Sequence, residues 1–485
     1  MSESIESGAR RATRAASEPS VDDTVDHATL ASEVTALIEK VEPPPIPAPS
    51  KRVTVRKPSA WPARVVEVLL AAALVAGGCV AAGRMTVAAP QPAPKQAVTQ
   101  TGLYCPGAAG IPGSITGTAD VGATWQPVGG LPSTFSGPYF QQSVTGPSTF
   151  TGSGSMAAVA QFTRAGQAAA AACTAPMSGG YLLVGAADAT LVLTNVDSDD
   201  AVLNVTLIGP LNQITSPQLV DLKVPAHSTS EIKLGDYAAG VHPLAVGWQN
   251  TIGRVVAWVR VDTADGLDIV APTRAAKQVV VPGIPGDAEV KLLIANTSTN
   301  QIVAKVDALT AEGRVTVAGA EQVTVETGGV SSVDLTAFQG EDVALVVTAD
   351  QPIAAAAWLK IGSDYATSPG SIVAGSVDQD RLGVASDPGA LVLSNLGTAA
   401  ADVTVTVTPV AGAPNVQTVT LKPGGSSPVA LPTAGSVRVH APADVVAALI
   451  AQPGSSPGNG TSIVALRVDS AWVGVMPVWV EGQPV

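Results

Sequence analysis

The chain is poor in the residues that carry most enzyme chemistry. Among 485 residues there are four histidines and three cysteines, and aromatic residues make up only 4%. It has no His-Glu-x-x-His, no Cys-x-x-Cys and no phosphate-cradling glycine loop, which removes the commonest zinc, dithiol and nucleotide signatures. With so few aromatics, and with Ala and Val dominating a 46% apolar content, a core has to be assembled from many strands with modest side chains. The 48 Gly and 38 Pro supply turns between them. Basic charge is scarce in the body. Residues 1–64 hold nine Lys/Arg and nine Asp/Glu, so residues 65–485, with 17 and 30, carry the whole net charge of −13. An acidic body repels phosphate backbones and argues against nucleic acid as a partner.

Long apolar stretches are also rare, and the one present organises the N-terminal region. Residues 1–64 are polar and Pro-rich, the composition of a disordered tail. Leu30, Val34, Leu37, Ile38 and Val41 share one helical face, with Asp26 placed to cap it, but so short a helix is marginal alone in water. Residues 65–87 then hold the apolar run, which approaches the roughly 20 residues a spanning helix needs. Lys51, Arg52, Arg56, Lys57 and Arg64 precede it, with Trp61 at the interface position. The positive-inside rule places the N-terminus in the cytoplasm and the body outside, with the lipid bilayer as the first partner. Two rivals exist: a cleaved signal peptide ending at Val80-Ala-Ala82, which needs an overlong leader, and a lipid anchor at Cys79, which lacks a bulky residue at Ala76. Residues 88–101 read as a Pro-rich spacer.

Residues 102–178 form a small Gly- and aromatic-rich module. Cys105 and Cys173 are the only cysteines beyond the span, and an oxidising compartment predicts a disulfide between them. Phe135, Phe140, Phe150, Phe162 and Trp125 form either a sugar-stacking face or the core of the module.

Three self-similar segments follow, over 179–275, 276–376 and 377–485. Each opens with an alternating strand ending in Asn195, Asn296 or Asn395, 101 and 99 residues apart. Each later passes a small-residue turn into a strand ending at Leu234, Leu335 or Leu431, 101 and 96 apart. Period-2 alternation, as in Val403, Val405 and Val407 against Thr404, Thr406 and Thr408, marks half-buried strands. Repeat one has runs starting near Tyr181, Ala189, Val202, Leu219, Thr229, Leu244 and Val255. Seven short strands in such a length predict tandem immunoglobulin-like sandwiches. The fold class is therefore mainly β, behind a disordered tail and one transmembrane helix. Trp258 and Trp358, 100 residues apart, read as matched last-strand core residues. The third repeat departs from the pattern, with Trp472 and Trp479 near its end, as the cap of an array does.

No catalytic, cofactor or metal residues emerge, and no cofactor is implied. Ser230-Glu-Ile-Lys233 matches Ser-x-x-Lys but lies on a predicted strand, without the companion motifs. His227 and His440 have no carboxylate or nucleophile pattern beside them. The acidic loops Asp197–Asp200, Asp262–Asp268 and Asp378–Asp380 are either weak Ca²⁺ ligands or polar turns.

The order of a single span, Cys105-Pro-Gly, repeated Leu-x-Leu-x-Asn strands, Val224-Pro-Ala-type turns and Ala-Trp strands resembles an actinobacterial family of envelope proteins classed as a domain of unknown function. Members are typically encoded beside cell-envelope glycosyltransferases. The resemblance implies a part in surface polysaccharide assembly, with an envelope glycan or a glycosyltransferase as partner, and supplies no catalytic residues. The expected function is a non-enzymatic, membrane-anchored extracytoplasmic scaffold or binding protein. The alternatives are a glycan-acting enzyme and a transmembrane sensor.

Overall fold

The computed structural model describes residues 101–468, apart from 109, 136–138, 153, 165, 187, 336–337, 339, 374–378 and 452–459. All lie in the compact unit Pro92–Val485. The expected tail and span lie outside the described residues, as do Cys79, Asp378, Trp472 and Trp479. Of the expected spacer only Thr101 is described, and it already belongs to a strand. Among the described residues no helix is long and apolar enough to cross a membrane. The helical turns there are two 3-10 segments, Pro217–Leu219 and Leu234–Asp236.

The N-terminal module has β1 (Thr101–Cys105), β2 (Gly113–Ala119), β3 (Ala123–Pro127), β4 (Ser133–Phe135), β5 (Phe140–Val144), β6 (Ser148–Gly152), β7 (Met156–Arg164) and β8 (Gln167–Ala172). They form two antiparallel sheets, β1-β6-β3-β4 and β5-β2-β7-β8. Repeat one has β9 (Gly179–Val184), β10 (Ala189–Asn195), β11 (Ala201–Ile208), β12 (Gln213–Ile214), β13 (Leu222–Val224), β14 (Ser228–Lys233), β15 (Leu244–Ile252), β16 (Val256–Thr263) and β17 (Gly266–Val270). Its sheets are β9-β15-β11-β12, with β13 also on β11, and β14-β10-β16-β17.

Repeat two has β18 (Ala276–Ile284), β19 (Glu289–Asn296), β20 (Ile302–Thr310), β21 (Gly313–Thr316), β22 (Val323–Val325), β23 (Val330–Leu335), β24 (Val343–Ile361) and β25 (Asp364–Pro369). Here one long strand, β24, pairs with β18 and β20 along its first half and with β19 and β25 along its second. Repeat three has β26 (Gln379–Ala385), β27 (Gly389–Asn395), β28 (Ala401–Pro409), β29 (Asn415–Leu421), β30 (Ser426–Leu431), β31 (Gly435–Ala441), β32 (Val445–Ala451), β33 (Ser462–Ala465) and β34 (Arg467–Val468). Its sheets are β29-β28-β31-β26-β34 and β30-β27-β32-β33.

The same pairing therefore occurs four times. In every module the first strand pairs with the sixth-strand equivalent, which pairs with the third. The second lies between the fifth and the seventh, and the strand that follows the seventh flanks it; in repeat three the short β34 adds to the free edge of β26. The N-terminal module, distinct by sequence, is a fourth copy of this topology. An immunoglobulin domain instead pairs its first strand with its second, and its sixth with its seventh. The expected two-layer, all-antiparallel architecture is present; the immunoglobulin pairing is not.

The Asn markers now have a cause. Asn195, Asn296 and Asn395 are buried, and each donates Nδ2 to the carbonyl four residues on, at 2.7–2.8 Å. Each also donates to a carbonyl of the turn, from Val224, Val325 or Lys422, and accepts an N–H two residues ahead. One amide thus ties a strand end to two turns, which neither Asp nor an apolar residue can do. The turns need a left-handed residue. Gly328 and Gly424 supply it at φ 59° and 64°, whereas His227 occupies the matching place at φ 49°.

The modules form a closed ring rather than a string. The last strands pack cyclically: β8 on β17, β17 on β25, β25 on β33, and β33 on β8. Each core is completed by its successor. Val256, Trp258, Leu267 and Ile269 of repeat one enter the N-terminal core, and Ala354, Ala356 and Trp358 of repeat two enter that of repeat one. Val392, Ala448, Ile450 and Ile463 of repeat three enter that of repeat two, and Val159 and Ala170 of the N-terminal module enter that of repeat three. Repeat three, read from sequence as an array cap, thus packs against the N-terminal module. Strands covered on both faces lose alternation, and Ile353–Leu359 is buried throughout.

Trp258 and Trp358 do the same job from different register positions. Trp258 lies opposite Val192, three residues before its Asn, and Trp358 lies opposite Lys291, five before. They are not matched residues, and each sits on the penultimate strand of its repeat. The alignment by sequence spacing fails because the connections between Asn and Trp differ in length.

Candidate binding groove and the buried carboxylates at the axis

Two of the places in the ring that gather polar groups differ in access. The first is at the axis. Asp364, at the start of β25, is 1% exposed and accepts N–H bonds from Ala168 at 2.7 Å and Leu267 at 3.1 Å. It also accepts the N–H groups of Tyr365 and Thr461. One carboxylate therefore bonds the backbone of all four modules. Burial pushes its pKa up, against the lowering effect of these four donors. A Cβ on Gly460, at φ 77°, would lie 2.4 Å from the Ala168 nitrogen and 2.7 Å from an Asp364 oxygen, so only glycine fits here.

Asp268 on β17 lies beside this hub. It is bonded to Thr367 of repeat two and accepts its neighbour Ile269's N–H at 2.8 Å. Its pKa stands at about 7, because burial, helped by the nearby Asp364 charge, raises it more than the two hydrogen bonds lower it. The axial cavity, lined by Ala170, Ile269, Thr367, Gly370 and Ile463 among others, measures about 30 Å³. That is about one water's worth of space and excludes a sugar ring. This carboxylate pair locks modules together and has no room for a glycan substrate.

The second place is an open groove of about 520 Å³ on repeat one, at its junction with repeat two. Its floor is the outer face of the β9-β15-β11 sheet. Tyr181 lies opposite Gly247, which lies opposite Thr206, while Asn204 lies opposite Gln249. A Cβ on Gly247 would be 3.1 Å from the Tyr181 ring, so the missing side chain lets the half-buried ring lie close to the strand. Asn204 Oδ1 accepts the Asp221 N–H at 2.8 Å, which fixes its amide, and Nδ2 has no partner among the described residues. Gln213, Arg274 and Thr297 complete the walls.

The residues singled out from sequence have definite places. Cys105 and Cys173 are bonded to each other, joining the end of β1 to the chain just after β8. Phe140, Phe150 and Phe162 are buried, and the Phe135, Phe140 and Phe150 rings stack at 5.1 and 4.5 Å centroid separations. With Trp125 packed against the same cluster, these aromatics fill the core rather than offering a sugar face. Ser230 and Lys233 stand three apart on β14 and so on opposite faces, which leaves the Ser-x-x-Lys match without chemistry.

Carboxylates of the acidic loops are tied to turns and to basic side chains, some of them across module junctions. Asp197 takes a bidentate bond from Arg254 at 2.8 and 3.0 Å, and Asp200 accepts the Ala226 N–H and pairs with Lys223. Asp262 pairs with Arg164 across a module junction. Asp380 holds His440 Nδ1 at 2.7 Å and Arg438 at 3.2 Å, while Arg438 also reaches Asp120 of the N-terminal module at 3.0 Å. The groove itself was missed from sequence. Its one legible trace is the Gly-x-Gln pairing with Gly-Gly-Tyr181, glycines inside strands that mark a close approach.

Comparison with known proteins adds family but no ligand. The profile of a family of unknown function (DUF5719) matches residues 136–432. No curated protein matches the chain. Among solved structures, one described as "tetra-tandem repeat in extending region of large adhesion protein" is 13% identical, covering 77% of this chain and 95% of its own. Its TM-score of 0.11 is too low for the likeness to carry any argument.

Proposed function

The chain belongs to the DUF5719 family of unknown function, and on that premise we propose that it is a membrane-anchored, extracytoplasmic scaffold or binding protein of the cell envelope, accessory to surface polysaccharide assembly. The observation that carries this reading is the ring. Four modules complete one another's cores, and the carboxylates of the acidic loops, Asp197, Asp200, Asp262, Asp268 and Asp380, hold turns and junctions. A body built this way presents fixed outer faces, which is what a scaffold needs. In this reading each module is immunoglobulin-like in its two-layer plan alone. The localisation rests on the apolar run at 65–87 and the basic residues before it, and the Cys105–Cys173 bond suits an oxidising compartment.

Affinity capture of the full-length protein from solubilised membranes tests the role. Recovery of an envelope glycosyltransferase or another envelope protein is the expected result. Glycan turnover that disappears on Asp-to-Asn substitution would instead establish the enzyme. Protease added to intact cells tests the orientation: the ring should be cut and residues 1–64 protected.

A further inference from the structure

The ring carries its own control for what the groove on repeat one is. Each module closes with a bridge between its first strand and the chain after its last strand, and these bridges align the four copies. Tyr104 pairs with Thr174, Tyr181 with Thr273, Val280 with Ser371, and Leu382 with Arg467. At these matched positions the next module normally covers the face. Tyr104 sits beside the Asp197–Arg254 ion pair of repeat one. Val280 and its neighbour Val346 are sealed by Val446 and Leu396 of repeat three. In repeat three, Arg438 stands opposite Leu382 and is tied to Asp120 of the N-terminal module.

Repeat one breaks this rule. Opposite Tyr181 stands Gly247, where repeat two has Val346. The residues over it are Arg274 and Ala275, from the end of repeat one, and Thr297 of repeat two, too small or too polar to fill the gap. What remains is an aromatic ring over a glycine, flanked by Asn204, Thr206, Gln213 and Gln249. Carboxamides and a hydroxyl offer paired donors and acceptors at fixed spacing, and the ring offers an apolar face. A pyranose has the complementary surface: C–H groups on one side and hydroxyls around the edge.

We propose that this groove binds an oligosaccharide, with one sugar ring stacked on Tyr181 and its hydroxyls bonded by Asn204, Gln249 and Thr206. Arg274, which has no ion-pair partner among the described residues, lies at the junction end, where it would meet a hydroxyl or an acidic sugar. The inference rests on the reading of the protein as a binding scaffold and names what one of its faces binds.

The test uses the full chain in detergent, with mannohexaose, cellohexaose and a galacturonate hexamer as probes. Binding is read by saturation-transfer NMR and titration calorimetry. At least one probe should bind, and Tyr181→Ala should weaken it roughly tenfold or more. Gly247→Val places the side chain of repeat two on the floor and should weaken binding comparably, while Tyr181→Trp retains it. Leu211→Ala, at an exposed hairpin tip outside the groove, should change nothing. Circular dichroism of each variant separates lost binding from lost fold. Should Tyr181→Ala fail to fold, Gly247→Val and Arg274→Ala carry the comparison. The proposal is overturned if no probe binds, or if the folded groove variants bind as the parent does. Partner capture without oligosaccharide binding would overturn this proposal and leave the scaffold standing. Oligosaccharide binding without partner capture would do the reverse.

Discussion

Replacing Asp268 with Asn should make the ring's stability less sensitive to pH in one direction only. The folded pKa is raised from the ordinary 3.8 to about 7 because the carboxyl is buried at a module junction. The unfolded chain therefore gives up this proton first. A group of this kind contributes stability that is full below about pH 4 and is lost as pH rises through about 7. A shift of about three units is worth about 4 kcal/mol at roughly 1.4 kcal/mol per unit. Asn keeps the shape, bears no charge and can donate to Thr367, while Ile269's N–H keeps its acceptor. The variant should be near the parent in stability at pH 4 and more stable by up to about 4 kcal/mol at pH 8. Asp364, whose pKa is also pushed up by burial, is present in both proteins and largely drops out of the difference. Urea unfolding followed by tryptophan fluorescence at pH 4, 6 and 8 gives the three differences. A gap that stays flat across this range, or that narrows as pH rises, refutes the assignment of a protonated carboxyl at the axis.

Four other outcomes follow from named contacts. Asn296→Ala removes the amide that satisfies buried turn carbonyls and should destabilise by about 2–4 kcal/mol in the same urea assay. His227→Gly gives repeat one the residue its siblings use at positive φ and should stabilise by up to about 1 kcal/mol, while Gly424→Ala should destabilise by at least that amount. Trp258→Ala empties the plug between repeat one and the N-terminal module; calorimetry should show a loss of about 3–5 kcal/mol in a single shared transition, whereas a separate early transition would contradict the shared cores. Reducing the Cys105–Cys173 bond, or replacing both with Ser, frees a 68-residue loop and should lower stability by about 4 kcal/mol, seen as a shift in the urea midpoint.

Alternation and turn chemistry are local, and they were legible. Val403–Thr408 alternates in sequence and does so on β28, and the three Asn markers end strands and are buried in every repeat; the three Leu markers are buried too, Leu335 and Leu431 at strand ends and Leu234 in the 3-10 turn just after β14. Asp265-Gly266 is a hairpin dipeptide, yet the strand after it, β17, is absent from the seven runs read in repeat one. That strand and its counterparts line the axis and are covered on both faces, so they lack the period that marks a strand from sequence. The fourth copy of the fold hid for a related reason: Ala119 ends β2 where the repeats have Asn, so the marker that reveals the others is missing.

The amino-acid sequence by itself settled that this is a β protein of repeated, turn-punctuated strands, because strand period and turn residues act between near neighbours. It also confined the extracytoplasmic reading to one apolar run. Only the tertiary structure decided that the modules close into a ring, that Asp364 gathers N–H groups from all four, and that Tyr181 lies in an uncovered groove. Those facts depend on which faces meet across more than a hundred residues of chain. No local pattern encodes that choice; it is made by the fit of one module's strands into the open core of another.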